Sequence, residues 1–353
     1  YAVLYGLNLS EAGGVSPELA KAYTDICVIV GLFGPRRIAE IYAGQAWNTA
    51  EALDEPAVKA GAKMGVGLDQ LNAGQLDLAE ANFAEALRIC EVLDDRRLWG
   101  DSLGLLARSI YFQGDLQRAG ELYAELAGPR SGVMMHRVWA FNAEAVIALR
   151  KGEKDQALNL LNQARSLPGE RPEPQQEMIT WAYLGIAFMR RGDVVKAREA
   201  AGRAVELMEQ INASAYTHFE GFAAVAEVYL SLWEETMGDE INNAQDRLAA
   251  RKLCDALRRG TVKTGGPAAW LYRGWYNKLN DDPRRAMSHW GKGLTVAEEI
   301  GMPYELGRIH LEMGRHAQTD DPMREEHLRR AQEIFRRIGA DYQLERTEAA
   351  LKK

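Results

Sequence analysis

Few residues in this chain have the types and the spacing that catalysis or metal binding requires. Gly31-Leu-Phe-Gly34 is followed by Pro35-Arg-Arg, whereas a phosphate-binding loop needs Gly-Lys-Ser or Gly-Lys-Thr at that point. Lys263-Thr-Gly265 occurs in some serine acyl-transfer enzymes, but the nucleophile motif Ser-x-x-Lys that accompanies it is absent. His310 and His316 are six residues apart, off the i,i+4 spacing that places two metal ligands on one helical face. We therefore expect no catalytic residues, no metal site and no cofactor.

Aromatic side chains offer a different chemistry, the binding of a ligand through stacking and apolar contact. Three short segments carry them: Trp139-Ala-Phe141, Trp181-Ala-Tyr183 and Trp270-Leu-Tyr272-Arg-Gly-Trp275. Such side chains bury a large area for a small loss of conformational entropy, and Tyr and Trp also carry a hydrogen-bonding group. A ligand can reach these side chains only if the secondary-structure elements that hold them leave one face open. A repeat in the sequence predicts what those elements are.

The sequence repeats a five-position pattern with a period near 40 residues. Glycine occurs at Gly34, Gly74, Gly114, Gly152 and Gly192, so successive copies are 40, 40, 38 and 40 residues apart. A small residue precedes each glycine by seven positions, and an alanine follows it by five. Four residues after the alanine comes Ala, Phe, Tyr or Leu, and three residues later comes Ala or Leu. Internal repetition of this length indicates stacked structural units.

The pattern predicts a pair of helices in each unit. Small side chains on both sides of the glycine let the two helices approach closely where they cross. The glycine provides the left-handed residue that ends the first helix, here termed helix A; the second is helix B. Pro35 stands at the start of its helix B, where its missing N–H costs nothing. One hairpin cannot bury its apolar face alone, so we expect the hairpins to stack into an all-α solenoid.

The later part of the chain continues this pattern less regularly. We expect a long helix over residues 214–236, an irregular turn over Gly238–Asn243 and a second helix that ends at Arg259. Gly260–Pro267 is interpreted as a flexible linker. Two further pairs are predicted, at 270–279 with 283–300 and at 304–318 with 322–338. The segment Ile-Gly-x-x-Tyr-x-Leu follows both pairs, first from Ile300 and again from Ile338.

These elements divide the chain into four predicted parts. They are residues 1–15, a remnant of a preceding segment; 16–211, five regular repeats; 212–341, three degenerate repeats; and 342–353, a capping helix. The cap is expected because the end of a solenoid exposes the apolar side of its last hairpin.

The small–Gly–Ala–aromatic–Ala pattern resembles the tetratricopeptide repeat (TPR) over nearly the whole chain from Ser16 onward. Two features depart from that family: the period is near 40 rather than about 34 residues, and the proline after helix B is plain only at Pro168. Repeats of this length resemble the C-terminal regions of bacterial multidomain signalling ATPases linked to adenylate-cyclase-type or LuxR-type outputs, and residues 298–339 carry that resemblance. It implies a right-handed TPR-like α-solenoid of about eight hairpins plus a C-terminal capping helix.

In a TPR solenoid the A helices line the concave face, so the resemblance implies which side chains a ligand could reach. The candidate groove residues are Arg108, Tyr111, Asn142, Tyr183, Glu227, Tyr272, Trp275 and Lys278. Their mixture of aromatic, amide and charged groups suits a peptide or protein segment, with a small-molecule effector as the alternative. The groove lacks the repeated Lys and Asn of TPRs that hold a C-terminal carboxylate. We expect Trp275 to be the anchor, unless it packs against Trp290 within its own hairpin.

The composition of the 353 residues restricts the partners and the compartment. Lys and Arg total 43 against 50 Asp and Glu, a net charge of −7, so a basic surface for nucleic acid is not expected. No segment approaches the ~18 apolar residues of a membrane span, and the first residues lack the charged start of a signal peptide. Cys27, Cys90 and Cys254 lie in apolar helical patterns, which indicates buried thiols in a reducing compartment. We therefore predict a cytoplasmic, non-catalytic interaction or sensor module of a signalling protein.

Overall fold

The protein consists of helices that follow one another in pairs. The computed structural model describes residues 2–131, 133–167, 173–211, 219–236, 240–259, 262–318 and 320–352, and these contain eighteen α-helices, two short 3-10 helices and no strand. Helix α1 (Ala2–Gly13) comes first and α18 (Asp341–Leu351) comes last. Between them lie α2 (Pro17–Phe33) with α3 (Arg36–Leu53), α4 (Pro56–Asn72) with α5 (Leu76–Leu93), α6 (Arg96–Phe112) with α7 (Leu116–Ala127), α8 (Met134–Lys151) with α9 (Lys154–Ser166), α10 (Pro174–Arg190) with α11 (Val194–Met208), α12 (Phe219–Glu235) with α13 (Glu240–Arg259), α14 (Gly266–Leu279) with α15 (Pro283–Ile300), and α16 (Pro303–His316) with α17 (Pro322–Ile338). The predicted all-α solenoid of eight hairpins and a final single helix is confirmed.

The turn inside four of the regular hairpins depends on the backbone freedom of glycine. Gly74, Gly114, Gly152 and Gly192 have φ angles of 74°, 88°, 85° and 78°, so the predicted left-handed residue is present in four of the five regular copies. At Gly34 the prediction is wrong, because φ is −117° and ψ is −175°, an extended conformation. The reason is Pro35, since the ring of a proline restricts the preceding residue to the extended region.

Small residues occupy the helix crossings, as the repeat predicts. Ala157 and Ala197 are fully buried. A Cβ atom on Gly185 would lie 3.2 Å from the Val228 side chain and 3.4 Å from the Ala197 carbonyl oxygen. On Gly67 it would lie only 2.8 Å from the Phe83 ring, closer than van der Waals contact allows. The glycine and alanine positions therefore set how near the two helices of a hairpin can come.

The degenerate repeats are more regular than the sequence indicates. Helix α13 begins at Glu240, so the part of the predicted Gly238–Asn243 turn that the structure describes is helical. The predicted flexible linker is also wrong from Val262 onward, because Lys263–Gly265 forms a 3-10 helix and α14 begins at Gly266. Gly265 is buried against Phe219, where an added Cβ would lie 3.1 Å from the ring, and this packing fixes the segment. Residues 212–218, 237–239, 260–261 and the proline at 168 lie outside the described residues.

Contacts within the chain define two compact units, Tyr1–Gln113 with Gln117–Arg137 and Gly114–Leu116 with Val138–Lys353. In the first unit α1 packs on α2 through Leu7, Leu19 and Ile26, so residues 2–13 form part of a hydrophobic core. No helix in the described ranges is long and apolar enough to cross a membrane.

The second unit ends on its capping helix. Ala350 of α18 is buried in one cluster with Tyr304 and Leu311 of α16 and with Phe335 of α17. Arg324 of α17 donates a hydrogen bond of 2.8 Å to the carbonyl oxygen of Ala350, close to the end of α18. The cap predicted from the repeated Ile-Gly-x-x-Tyr-x-Leu segment is therefore present, and it covers the apolar side of the last hairpin.

Candidate ligand-binding site

The second unit contains a cavity of about 360 Å³, and the described residues that line it all lie on A helices and the capping helix. Its lining residues are Ile186, Met189 and Arg190 on α10; Glu227, Val228, Ser231, Glu234 and Glu235 on α12; Trp275 on α14; Arg315 on α16; and Tyr342 and Arg346 on α18. On α10, on α12 and on α18 the lining positions recur after three or four residues, so each helix contributes one face. This unit therefore has the A-helix groove that the TPR-like repeat implies.

Glu227 is the centre of a buried polar cluster at this cavity. Its carboxylate accepts a hydrogen bond of 2.7 Å from Arg308 and one of 2.8 Å from the Tyr272 hydroxyl, and Arg190 lies 3.7 Å away. Burial opposes the ionisation of Glu227, but the charges of Arg308 and Arg190 outweigh it and hold its pKa below the usual value. Burial raises the pKa of Tyr272 well above its usual value, so its hydroxyl stays a donor.

A second cluster surrounds Glu312, which is only 1% exposed. Its oxygens lie 3.2 Å from Arg315, 3.3 Å from His316 and 3.6 Å from Arg346. Burial opposes its ionisation, but the charge of Arg315 and its other cationic neighbours hold the pKa of Glu312 far below the usual range. Arg315 also donates hydrogen bonds of 2.8 and 3.0 Å to the carboxylate of Glu234. The cavity is thus lined by charges that are fixed in place by one another.

Arg190 links α10 and α18, the first and the last helix in the chain that line the cavity. Its guanidinium carbon lies 3.8 Å from the centre of the Tyr342 ring, which joins α10 to α18. The same guanidinium donates a hydrogen bond to the carbonyl oxygen of Leu149, at the end of α8. Only 7% of the Arg190 side chain is exposed, so its orientation is set by these contacts rather than by solvent.

Two of the predicted groove residues, Glu227 and Trp275, line the cavity, and Tyr272 lies directly behind it. Trp275 is 2% exposed, so it is a core residue as well as a wall. Trp290, its predicted alternative partner, lies under Gly274 and stacks on His316 with ring centres 5.7 Å apart. Trp275 is therefore a core residue that also borders the cavity, and its role as an anchor stays a prediction.

Other predicted groove residues lie elsewhere. Asn142 is buried, donates to Gln176 and accepts a hydrogen bond of 2.9 Å from Thr180, so it ties α8 to α10 and its predicted exposure to a ligand is wrong. The structure likewise buries Tyr272, because its hydroxyl is needed between Glu227 and Arg308. Tyr183 and Lys278 are half-buried and do not line the cavity.

The remaining two predicted residues belong to the first unit. Tyr111 is buried beside Phe112, with ring centres 5.6 Å apart, so its predicted exposure is wrong. Arg108 is half-buried, with its guanidinium carbon 5.4 Å from the centre of the Phe112 ring. Both residues take part in packing between neighbouring A-helix side chains.

The sequence did not identify Arg190, Arg315, Tyr342 or Arg346 as site residues. Arg190 lies one position beyond the inward-facing set of its repeat, and the other three come from the least regular copies. One signal marks Tyr342, because it repeats Tyr304 in the Ile-Gly-x-x-Tyr-x-Leu segment. No local pattern marks the arginines.

The first unit contains a Ser–His–Asp arrangement that the sequence did not reveal. The Ser131 hydroxyl lies 3.2 Å from Nδ1 of His136, and Nε2 of His136 lies 2.8 Å from the carboxylate of Asp101. Ser131 and His136 are both buried, and the His136 ring packs against Gly100. A substrate cannot reach this serine, so these bonds tie the start of α8 to α6.

The cysteines are buried and unbridged. Cys27, Cys90 and Cys254 are free thiols without solvent exposure, which confirms the predicted burial. Burial raises the pKa of Cys27 and of Cys254 to about 12, so both remain protonated and unreactive. Among the described side chains, no group of three or more His, Cys, Asp or Glu is placed to hold a metal ion.

Solved structures with a similar fold cover almost the whole chain. A Rap protein complexed with Competence and Sporulation Factor has a TM-score of 0.61 and 13% identity, with 94% of this chain and 88% of that one covered. The apo quorum sensor NprR from B. thuringiensis has a TM-score of 0.57 and 15% identity, covering 94% and 92%. A monomeric IFIT1 mutant with m7Gppp-AAAA has a TM-score of 0.50 and 14% identity, covering 98% and 85%. No protein-family model and no curated protein sequence matches the chain. These similarities show a TPR-like helical-repeat fold.

Proposed function

We propose that this protein is a non-catalytic binding module of a cytoplasmic signalling protein and that its second unit holds a peptide segment in the cavity between α10 and α18. The proposal is supported by the number of helices that contribute side chains to the walls of the cavity. Side chains from α10, α12, α14, α16 and α18 border one cavity, so a single ligand contacts four successive repeats and the capping helix. Such a ligand stabilises the second unit by joining repeats that are not neighbours in the stack.

The chemistry of the lining suits a peptide. Trp275 offers an apolar surface, while the exposed Glu235 and the partly exposed Arg346 offer an acceptor and a donor to backbone amides. The sequence resemblance to repeats attached to signalling ATPases supports a regulatory setting, in which occupancy of the cavity is passed on to another domain. The Rap protein and the quorum sensor NprR support the same class of function through the shared fold.

A small-molecule effector is the second candidate. The volume of about 360 Å³ is at the lower end of the range for small-molecule sites, about 300–1,000 Å³, and the contact between Arg190 and Tyr342 closes one side. Native mass spectrometry of the protein purified from its source cell separates the candidates. A retained compound of a few hundred daltons supports the effector, whereas a retained peptide or protein supports the peptide.

Ser231 provides a direct test of the cavity. It is half-buried and lines the cavity one turn before the end of α12, so Ser231→Phe fills the space without removing a core side chain. Affinity selection from a library of acetylated, amidated heptapeptides should recover peptides with the wild-type protein and none with Ser231→Phe. Ser231→Ala is the matched control and should retain binding. Equal recovery by Ser231→Phe and the wild type would place the peptide elsewhere and defeat the proposal.

A further inference from the structure

The charged side chains around the cavity form a network of ion pairs. Four guanidinium groups, those of Arg190, Arg308, Arg315 and Arg346, share the carboxylates of Glu227, Glu234 and Glu312. Arg190 and Arg308 have 7% and 6% of their side chains exposed, so solvent does little to satisfy their N–H groups. Each guanidinium has a carboxylate partner, and what the pairs leave open is the set of buried N–H groups that they do not use, since a buried donor without an acceptor is costly.

The carboxylates of Glu227, Glu234 and Glu312 are all ion-paired, although neither oxygen of the buried Glu312 accepts a hydrogen bond. Glu227 accepts hydrogen bonds from Arg308 and Tyr272, and both oxygens of Glu234 accept from Arg315. Glu312 lies beneath Arg315 and Arg346 and is out of reach of a ligand. A cationic ligand would have to break one of these pairs before it could bind, so the arrangement disfavours a Lys or Arg side chain.

Hydrogen-bond donors, in contrast, are left over. Among the described residues, the Nε atoms of Arg190 and Arg315 and the Nε1 atom of Trp275 have no acceptor. Arg346 donates to Gln343 at 3.1 Å but is 3.6 Å from Glu312, and a quarter of its side chain is exposed. A guanidinium carries five N–H groups and no acceptor, so the cavity presents mainly donors to an incoming molecule.

One acidic side chain at the rim opposes this trend. Glu235 lines the cavity but is exposed, on the last turn of α12. Its charge is screened by water and salt, whereas the guanidinium groups of Arg190 and Arg308 are not. The unused donors of Arg190, Arg315 and Trp275, which line the cavity, therefore favour a ligand that brings hydrogen-bond acceptors.

The geometry points to an acidic peptide as the ligand, with its carboxylate held by Arg346, Arg315 and Arg190 beside the indole of Trp275. This inference rests on the proposed function and names its ligand class. A carboxylate fits because it accepts two parallel hydrogen bonds from one guanidinium and brings one negative charge to the network. The site differs from TPR grooves that use repeated Lys and Asn, since its cations are arginines from three helices, α10, α16 and α18, and are ion-paired.

The carboxylate could come from an acidic side chain or from a free C-terminus. The probes are therefore acetyl-Ala-Ala-Glu-Ala-Ala-amide, the same peptide with Gln or Lys in the centre, and acetyl-pentaalanine with a free carboxylate. Binding is followed through the indole N–H signal of Trp275, which Trp275→Phe identifies. The Glu peptide should bind about tenfold more tightly than the Gln peptide, equivalent to about 1.4 kcal/mol. If the free C-terminus is the source, pentaalanine should match the Glu peptide.

Substitution of one partly exposed cation tests the location. Arg346→Gln should reduce the preference for Glu over Gln to within about twofold, and Arg346→Lys should restore part of it. Arg336→Gln is the control, because Arg336 lies on the exposed side of α17 and pairs with Glu348. The inference is overturned if the Gln or Lys peptide binds as tightly as the Glu peptide, or if Arg346→Gln leaves the preference unchanged.

Two small anions separate this inference from the proposed function. Glutarate should shift the Trp275 signal in the wild type and not in Arg346→Gln, whether or not any peptide binds. If glutarate binds and no peptide does, the acidic ligand stands and the peptide function fails. If adenosine monophosphate binds more tightly than glutarate, the site is a phosphate site and the carboxylate inference is wrong.

Discussion

The guanidinium of Arg190 lies 3.8 Å from the centre of the Tyr342 ring, and this contact joins two helices that are four hairpins apart along the chain. The same contact occurs one repeat earlier, where Arg150 lies 3.6 Å from the centre of the Tyr304 ring. Both tyrosines come from the Ile-Gly-x-x-Tyr-x-Leu segment, and both arginines lie near the end of an A helix. In the second unit, therefore, the helical hairpins repeat, and so does an arginine–tyrosine contact between helices that are far apart in the chain.

The contact between Arg190 and Tyr342 should contribute measurably to stability. Because Arg190 also binds the Leu149 carbonyl, a double-mutant cycle with Arg190→Gln and Tyr342→Leu is needed to isolate the pair. We expect a coupling energy of about 1 kcal/mol from urea unfolding, as a desolvated cation–π pair provides. The control cycle combines Arg190→Gln with Tyr304→Leu. Equal coupling in both cycles would show that the ring contact contributes nothing specific.

The crossing of α10 and α11 should not accept a larger side chain. Ala197 is fully buried, and its carbonyl oxygen already lies close to Gly185. Ala197→Leu should lower the free energy of unfolding by roughly 1–3 kcal/mol, because the added atoms force the helices apart. Ala244→Leu on the exposed side of α13 is the control and should change it by less than about 0.5 kcal/mol. An unchanged melting curve for Ala197→Leu would contradict the close crossing.

The capping helix should protect the last hairpin. Truncation after Gly339 removes α18 and exposes the side of Phe335 and Leu328 that it covers. Amide hydrogens in residues 322–338 should then exchange faster, and the protein should become less soluble, since a solenoid end needs a covered face. Hydrogen exchange followed by mass spectrometry measures this effect. Exchange that stays at the wild-type rate in 322–338 would count against the cap.

The second unit should lose stability in mild acid because of a buried histidine pair. The Nδ1 atoms of His310 and His327 are 2.9 Å apart. Burial, His327 and Arg330 together lower the pKa of His310 to about 4. Burial also lowers the pKa of His327, against the opposing charges of Glu326 and Asp321.

A lowered pKa in the folded state means that the unfolded state binds the proton more tightly. The contribution of His310 is therefore fully present above about pH 6.5 and is lost as the pH falls toward about 4. We expect a loss of roughly 2–3 kcal/mol over this window, at about 1.4 kcal/mol for each unit of pKa. His310→Asn should flatten this part of the pH profile, as measured by urea unfolding at a series of pH values. An unchanged profile in the variant would assign the acid sensitivity to other groups.

The sequence by itself determined the hairpins, because their signals are local. A small residue, a glycine and an alanine within twelve positions set one helix crossing, and the structure shows that crossing at Gly185 and Ala197. The sequence-based prediction was wrong at two places, and in each a neighbouring residue determines the backbone conformation. Pro35 restricts the backbone of Gly34 to the extended region, and Phe219 packs on Gly265 in the segment interpreted as flexible.

Only the tertiary structure decided which side chains form the site. Arg190 and Arg346 lie more than 150 positions apart in the sequence, yet they line one cavity. The path that brings α10 to α18 results from small rotations added over several repeats, and no single repeat specifies that sum. Contacts with the adjacent A helices bury Asn142 and Tyr272, which their position in the repeat had placed toward a ligand. A repeat pattern defines what each hairpin is, whereas the accumulated twist of the stack defines which hairpins meet.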